Sequence, residues 1–324
     1  MTLVLRKGVQ RGEVPLPKVW RVLGAYNAPL QAYAVTVQQN AAEGLGVSPN
    51  YPFYPPKIGG QGVEMTNQDD YTALDKPELV RFVFYPRQWH SNPPKNATDY
   101  VVPVGSGVSI TCRFYVKDLE LPSILYFHGN GEVVADHDYV APLYNDRGIN
   151  LFVADYRGYG ASTGSPNFSS MVEDAHPIFD AFLGVLSDGG YTGKVFVMGR
   201  SLGSVSAIEL ASEYLEKISG LIIESGFAST VRLMTRLGFP QEYLGIKDSG
   251  FPNLTKIRTI ALPTLIIHGE RDSLIPFEEG KDLFDNAAAQ DKRILVIPDG
   301  DHNTLMMEGM AEYFKAIEEF VSAA

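Results

Sequence analysis

The sequence predicts an α/β fold, with one hairpin-led and otherwise parallel sheet carrying helices on both faces. Six short apolar runs, at residues 124–127, 151–154, 195–198, 221–223, 264–267 and 294–297, alternate with helix-patterned segments. Runs of that kind are what parallel strands buried on both faces require. Ahead of them, residues 100–104 and 108–116 read as two strands joined by Gly105-Ser106-Gly107, a hairpin signal. No internal repeat interrupts this order.

The 324 residues can hold one large domain or two modest ones. A hydrophobic content of 45% is ordinary for a chain with a substantial core. The net charge of −11 argues against nucleic-acid binding, which favours a basic face. Cys112 is the only cysteine, so no intramolecular disulfide can form, and its alternating surroundings suit a small packed residue. The opening Met1-Thr2-Leu3-Val4-Leu5 followed by Arg6 and Lys7 has the wrong order for a secretory signal, and no apolar run reaches the length needed to cross a bilayer. The expected location is the cytoplasm.

Taken in order, residues 1–46 carry helix-like segments and no motif. Residues 47–62 turn to proline and glycine with Tyr51, Phe53 and Tyr54 interspersed, which suits a linker or an arm packed on a surface, with a proline-rich recognition ligand as the alternative. We expect residues 1–75 to form an N-terminal extension and 76–324 one domain. Residues 79–85 read as a further strand and 86–96 as loop. Ser170-Met171-Val172-Glu173 fits a capping box opening a helix with Ile178, Phe179, Phe182 and Leu186 on one face, and Pro177 is expected to kink it. A helix over 202–218 follows the third apolar run of the six. In the final segment, 305–321, Met306, Met310, Tyr313, Phe314, Ile317 and Phe320 recur at helical spacing and form a core stripe.

In open α/β sheets the functional groups collect at the carboxyl ends of the strands. Two Gly-x-Ser-x-Gly segments occur, Gly199-Arg200-Ser201-Leu202-Gly203 and Gly160-Ala161-Ser162-Thr163-Gly164. Ser201 lies directly between an apolar run and a helical segment, whereas Ser162 stands several residues past its strand and is followed by Ser165-Pro166-Asn167. A serine at a sharp strand-to-helix corner needs glycine-sized neighbours two positions either side, and the helix N-terminus below it offers N–H groups to an oxyanion. Ser201 is therefore the candidate nucleophile.

A serine hydroxyl needs a base and an orienting acid. Of six histidines, His302 alone follows the last strand in a loop, and it is the candidate general base. Asp272, in the turn after His268-Gly269, is the candidate acid, with Glu224 as its closest rival. Asp301 is poorer, because consecutive side chains diverge. The oxyanion donors are expected to be the N–H groups of Leu202 and of Asn130 in the loop after His128-Gly129. His128 is read as a brace for that loop. Asp155, Arg157 and Tyr159 form either a polar loop beside the site or a structural turn.

Jointly, His128-Gly129-Asn130, Asp155-x-Arg157-Gly158-x-Gly160-x-Ser162-x-Gly164, Gly199-Arg200-Ser201-Leu202-Gly203, His268-Gly269-x-x-Asp272 and the late His302 resemble the α/β-hydrolase superfamily, in its serine-hydrolase branch that includes esterases and protein depalmitoylases. The resemblance covers residues 97–324. It implies an eight-stranded sheet, Ser162 in the loop after the fourth strand, and a lid at 227–252 in which Met234, Leu237, Phe239, Tyr243, Leu244 and Phe251 could line an acyl pocket. The implied activity is carboxylic-ester hydrolysis through an acyl-enzyme on Ser201, acting on a small-molecule ester or acyl substrate without a cofactor. Thioester or peptide hydrolysis is the nearest alternative, and a non-catalytic binding protein a further one. A metal hydrolase is disfavoured because there is no His-Glu-x-x-His and the histidines lack ligand spacing.

Overall fold

A hairpin starts the sheet. Strands β1 (Ala97–Gly105) and β2 (Val108–Tyr115) pair antiparallel, and the chain reverses through Gly105 at φ 107° and Gly107 at φ 74°, a backbone region that favours glycine. The structure is a computed structural model and describes residues 71–105, 107–239, 244 and 251–324. The expected arm at 47–62, the rest of the extension up to residue 70, and Tyr243 in the expected lid lie outside the described residues.

The parallel strands are β3 (Ser123–Phe127), β4 (Asn150–Ala154), β5 (Val195–Arg200), β6 (Gly220–Glu224), β7 (Thr264–Gly269) and β8 (Lys292–Ile297). The eight strands order as β1-β2-β4-β3-β5-β6-β7-β8, with β2 antiparallel to both β1 and β4 and the remaining pairs parallel. β3, β4, β6 and β7 are buried at every residue, as the apolar runs require.

Helices cover both faces. On one side lie α1 (Pro77–Val83), α3 (Phe168–Glu173), α4 (Ala175–Asp188), α5 (Ser204–Glu213), α6 (Thr230–Arg236), α7 (Asn253–Ile257) and α8 (Phe277–Asn286), whose buried residues join one apolar cluster. On the other, α2 (Ala141–Asn145) and α9 (Leu305–Ala323) build a second cluster around Tyr144, Tyr313, Phe314, Ile317 and Phe320. Met306 and Met310 sit at the margin of that cluster, so the expected stripe holds with its first turn half-buried.

Several local expectations change. Residues 79–85 do not form a strand: Pro77 occupies the first turn of α1, where its missing N–H costs nothing, and Leu79 points into the core. The capping box is displaced by three residues, because Asn167 caps α3 and its side chain accepts from Ser170 N–H at 2.7 Å, with Ser170 Oγ reaching back to Asn167 N–H. Pro177 stands in the first turn of a separate helix, α4, rather than at a kink. The helix after Ser201 ends at Glu213 instead of 218. Upstream, Tyr71 and Leu74 are buried in the main core, the Tyr71 ring lies 5.1 Å from Phe251, and the Asp75 carboxylate accepts from Phe168 N–H at 2.7 Å.

Candidate active site

The turn after β5 carries one of the two non-glycine residues with positive φ among the described residues. Ser201 has φ 51°, an uncommon left-handed conformation for a residue with a side chain, and it heads a short 3-10 turn that runs into α5. The flanking glycines are forced by contact. A Cβ on Gly199 would collide with the Gly203 carbonyl, and one on Gly203 with the Phe127 carbonyl at the end of β3. Those approaches set Leu202 beside the loop that leaves β3, and the first N–H groups of a helix have no partner within it.

The structure brings Ser201, His302 and Asp272 together from three distant parts of the chain. Ser201 Oγ lies 2.9 Å from His302 Nε2, and His302 Nδ1 lies 2.8 Å from Asp272 Oδ2. All three are buried, at 7%, 4% and 5% exposure, so water competes little for these bonds. Asp272 Oδ1 accepts from the N–H groups of Leu274 and Ile275, at 3.0 and 2.7 Å, which fixes the carboxylate in the turn after β7. Burial would raise this carboxyl. The facing His302, its hydrogen bond, His268 and the Ile275 N–H outweigh that and hold it below its usual range.

The other candidates find different partners. Ser162 follows β4, as the resemblance implies, and its Oγ accepts from Thr111 N–H at 2.9 Å. Glu224 bonds Arg200 Nε at 3.1 Å and the Tyr313 hydroxyl at 2.7 Å, and burial raises its carboxyl. Asp301 accepts from Ser273. His128 braces its loop through Gly129 O at 2.8 Å and Asp155 Oδ1 at 3.1 Å. Asp155 also caps Val134 N–H, Arg157 pairs with Asp174, and Tyr159 donates to Asn130 Oδ1, so that stretch is a structural turn. His268 donates to Ile275 O, and its desolvation lowers its pKa. His90 pairs with Asp99, His137 stands 3.7 Å from Glu132, and His176 meets Glu209 and Tyr214.

A cavity of about 300 Å3 opens beside Ser201. Leu202 and Asn130 stand in its wall, with Met234, Leu237 and Phe251 from the expected lid. Phe239 instead packs edge-on against Phe82 at 4.3 Å, and Leu244 is buried. Phe82, Val83 and Tyr85 complete the wall from α1 and the loop after it, a contribution the sequence did not reveal. Asn130 is fixed by donating its side-chain amide to Val83 O and accepting from Tyr85 N–H at 3.0 Å. A smaller cavity of about 100 Å3, with Glu132, Arg200 and Glu224 in its wall, reaches His302 from another side. Among the described residues no group of three or more His, Cys, Asp or Glu side chains is placed to hold a metal ion, and no helix is long and apolar enough to cross a membrane.

Comparison with known proteins bears on the fold and the family. A model of the serine aminopeptidase S33 family, Hydrolase_4, matches residues 122–255 and 231–309. Human alpha/beta hydrolase domain-containing protein 17B is 30% identical over 240 residues, covering 72% of this chain and 78% of that protein. The chain belongs to the α/β-hydrolase family. This hydrolase is also 31% identical over 218 residues to protein bem46 of Schizosaccharomyces pombe, covering 62% of this chain and 67% of that one. Among solved structures, the Pyrococcus furiosus esterase Pf2001 matches its fold with a TM-score of 0.60 at 20% identity, over 73% of the hydrolase and 98% of the esterase. The motif-based resemblance therefore holds, and the eight-stranded sheet is that of the family.

Proposed function

We propose that this hydrolase cleaves a carboxylic ester through an acyl-enzyme on Ser201, with His302 as general base and Asp272 as orienting acid. The observation that carries the reading is the continuous hydrogen-bonded line from Ser201 Oγ through both ring nitrogens of His302 to Asp272, at the edge of a largely apolar cavity. Ser201 Oγ attacks the acyl carbon while His302 Nε2 takes its proton. The N–H groups of Leu202 and Asn130 receive the oxyanion, and Asp272 stabilises the imidazolium. On collapse, His302 returns the proton to the leaving alkoxide. A water molecule, deprotonated in turn by His302, then releases the acid and restores Ser201.

The apolar wall formed by Phe82, Met234, Leu237 and Phe251 suits the acyl chain of a small-molecule substrate in the cytoplasm. The same wall accommodates the acyl group of an acyl-protein or acyl-CoA thioester equally well, so thioester hydrolysis is the second reading; the cavity gives no such support to a peptide. No metal or organic cofactor enters the scheme. A fluorophosphonate probe is expected to label the wild type and not Ser201→Ala, and equal labelling of both overturns the assignment. Matched p-nitrophenyl esters and acyl-CoA thioesters of one chain length then separate ester from thioester by kcat/KM.

A further inference from the structure

Arg200 immediately precedes the proposed nucleophile, and its guanidinium lies in a cluster of polar groups where the two cavities meet His302. Nη2 donates to the main-chain carbonyl of His302 at 2.8 Å and to Asn303 Oδ1 at 3.1 Å. Nε donates to Glu224 at 3.1 Å, and Nη1 pairs with Glu132. Glu132 in turn accepts from Gly129 N–H at 3.3 Å, one residue before Asn130. The guanidinium therefore holds the loop carrying His302 directly and the loop carrying Asn130 through Glu132, while its own backbone leads into Ser201.

We propose that Arg200 is a positioning residue that fixes the base loop and the oxyanion loop to the nucleophile strand and balances the carboxylates of Glu132 and Glu224. The inference rests on the reading of Ser201, His302 and Asp272 given above. The seven residues between β8 and α9 carry His302 without regular structure of their own, so the anchored main-chain carbonyl joins Asp272 and the Ser273–Asp301 bonds in keeping Nε2 at 2.9 Å from Ser201 Oγ. A planar fork with several donors can hold the His302 carbonyl, Asn303, Glu132 and Glu224 simultaneously, whereas a lysine ammonium is a point charge with a different reach. The groups around the imidazole come from every neighbouring element. Asp272 and His268 belong to β7 and its turn, Arg200 and Glu224 to β5 and β6, Glu132, which shares the small cavity with His302, to the loop after β3, and Asp301 adjoins it in its own loop. Arg200 is the cation bonded to both Glu132 and Glu224, and burial, which opposes its charge, is outweighed by that pair.

The test uses the full chain and a neutral p-nitrophenyl ester, with Ser201→Ala as the reference for the parent reading. Arg200→Lys keeps the charge and loses the fork, so kcat is expected to fall ~10- to 100-fold with KM within ~3-fold, while the acid limb of kcat/KM stays in place. Arg200→Gln leaves Glu132 and Glu224 uncompensated; these favour the imidazolium, so the acid limb should move up by about one pH unit. Glu132→Gln removes one of those carboxylates with little change of shape, and the limb should move down. If the Arg200 variants fail to fold, Glu132→Gln decides, and a limb at the wild-type position overturns the proposal. Folded Arg200 variants with wild-type kcat and limb overturn it as well. If Ser201→Ala itself retains full activity, the parent reading falls instead.

Discussion

Ser201 shows how much one residue's geometry depends on its neighbours. Its φ of 51° persists because Gly199 and Gly203 let backbone approach where any side chain would intrude. Asp272 has a comparable dependence, since two turn N–H groups and His302 together hold its carboxylate. Asp272→Asn should lower kcat by ~10^3- to 10^4-fold while leaving the fold intact, checked by steady-state kinetics beside a melting curve. The pH dependence has a definite sign. A carboxyl whose folded pKa lies below its unfolded value stabilises the fold at pH above about 4, and that contribution is lost as pH falls through the folded value. The stability gap between wild type and Asp272→Asn, measured by denaturant titration, should narrow as the solution is acidified below about pH 4. A gap that widens on acidification contradicts this assignment.

At the scale of elements, the strand–turn–helix unit from β5 to α5 is the part most sensitive to small changes. Gly203→Ala places a methyl group against the carbonyls of Phe127 and His128, which are backbone and cannot swing aside. Its cost should be about 2–3 kcal/mol of stability, and fluorophosphonate labelling should be lost at temperatures where the variant is still folded. An alanine variant with wild-type melting and labelling argues against the close approach. The helices show where sequence signals compete. Residues 79–84 read Leu-Val-Arg-Phe-Val-Phe, whose β-branched and aromatic content favours a strand, yet Pro77 and Glu78 in the first turn and burial of Leu79 make it α1. At α3 the cap is Asn167, three residues ahead of the expected Ser170, because its carboxamide oxygen accepts from Ser170 N–H while Ser170 Oγ accepts from Asn167 N–H.

Across the whole molecule, the apolar cavity beside Ser201 is assembled from parts that no single stretch describes. Phe82 and Val83 come from α1, Met234 and Leu237 from α6 and its end, Phe251 from the segment before α7, and Ile275 from the turn after β7. Filling it should therefore act on chain length rather than chemistry. Met234→Trp is expected to reduce kcat/KM for a long-chain p-nitrophenyl ester by at least ~10-fold while the acetate ester changes by less than ~3-fold, because each methylene excluded from an apolar pocket is worth about 1–3 kcal/mol. Equal losses on both esters would mean that the acyl chain lies elsewhere.

The sequence by itself determined the order of the sheet's parallel strands along the chain, the hairpin that precedes them, and Ser201 as the serine at a strand-to-helix corner. These were legible because strands buried on both faces leave continuous apolar runs, and because a tight corner restricts residue size at fixed offsets. Asp272 was preferred to Glu224 in the sequence on its Gly-x-x-Asp turn alone, since both follow a buried strand. The tertiary structure adds the contacts, 2.8 Å from Asp272 to His302 Nδ1 and a Glu224 engaged by Arg200 and Tyr313. The part of the cavity wall supplied by α1 and the loop after it, and the reach of Arg200 to the His302 carbonyl, 102 residues away, were decided in space. Contacts between distant segments leave no periodicity, and their partners are set by how the sheet brings its strand ends together.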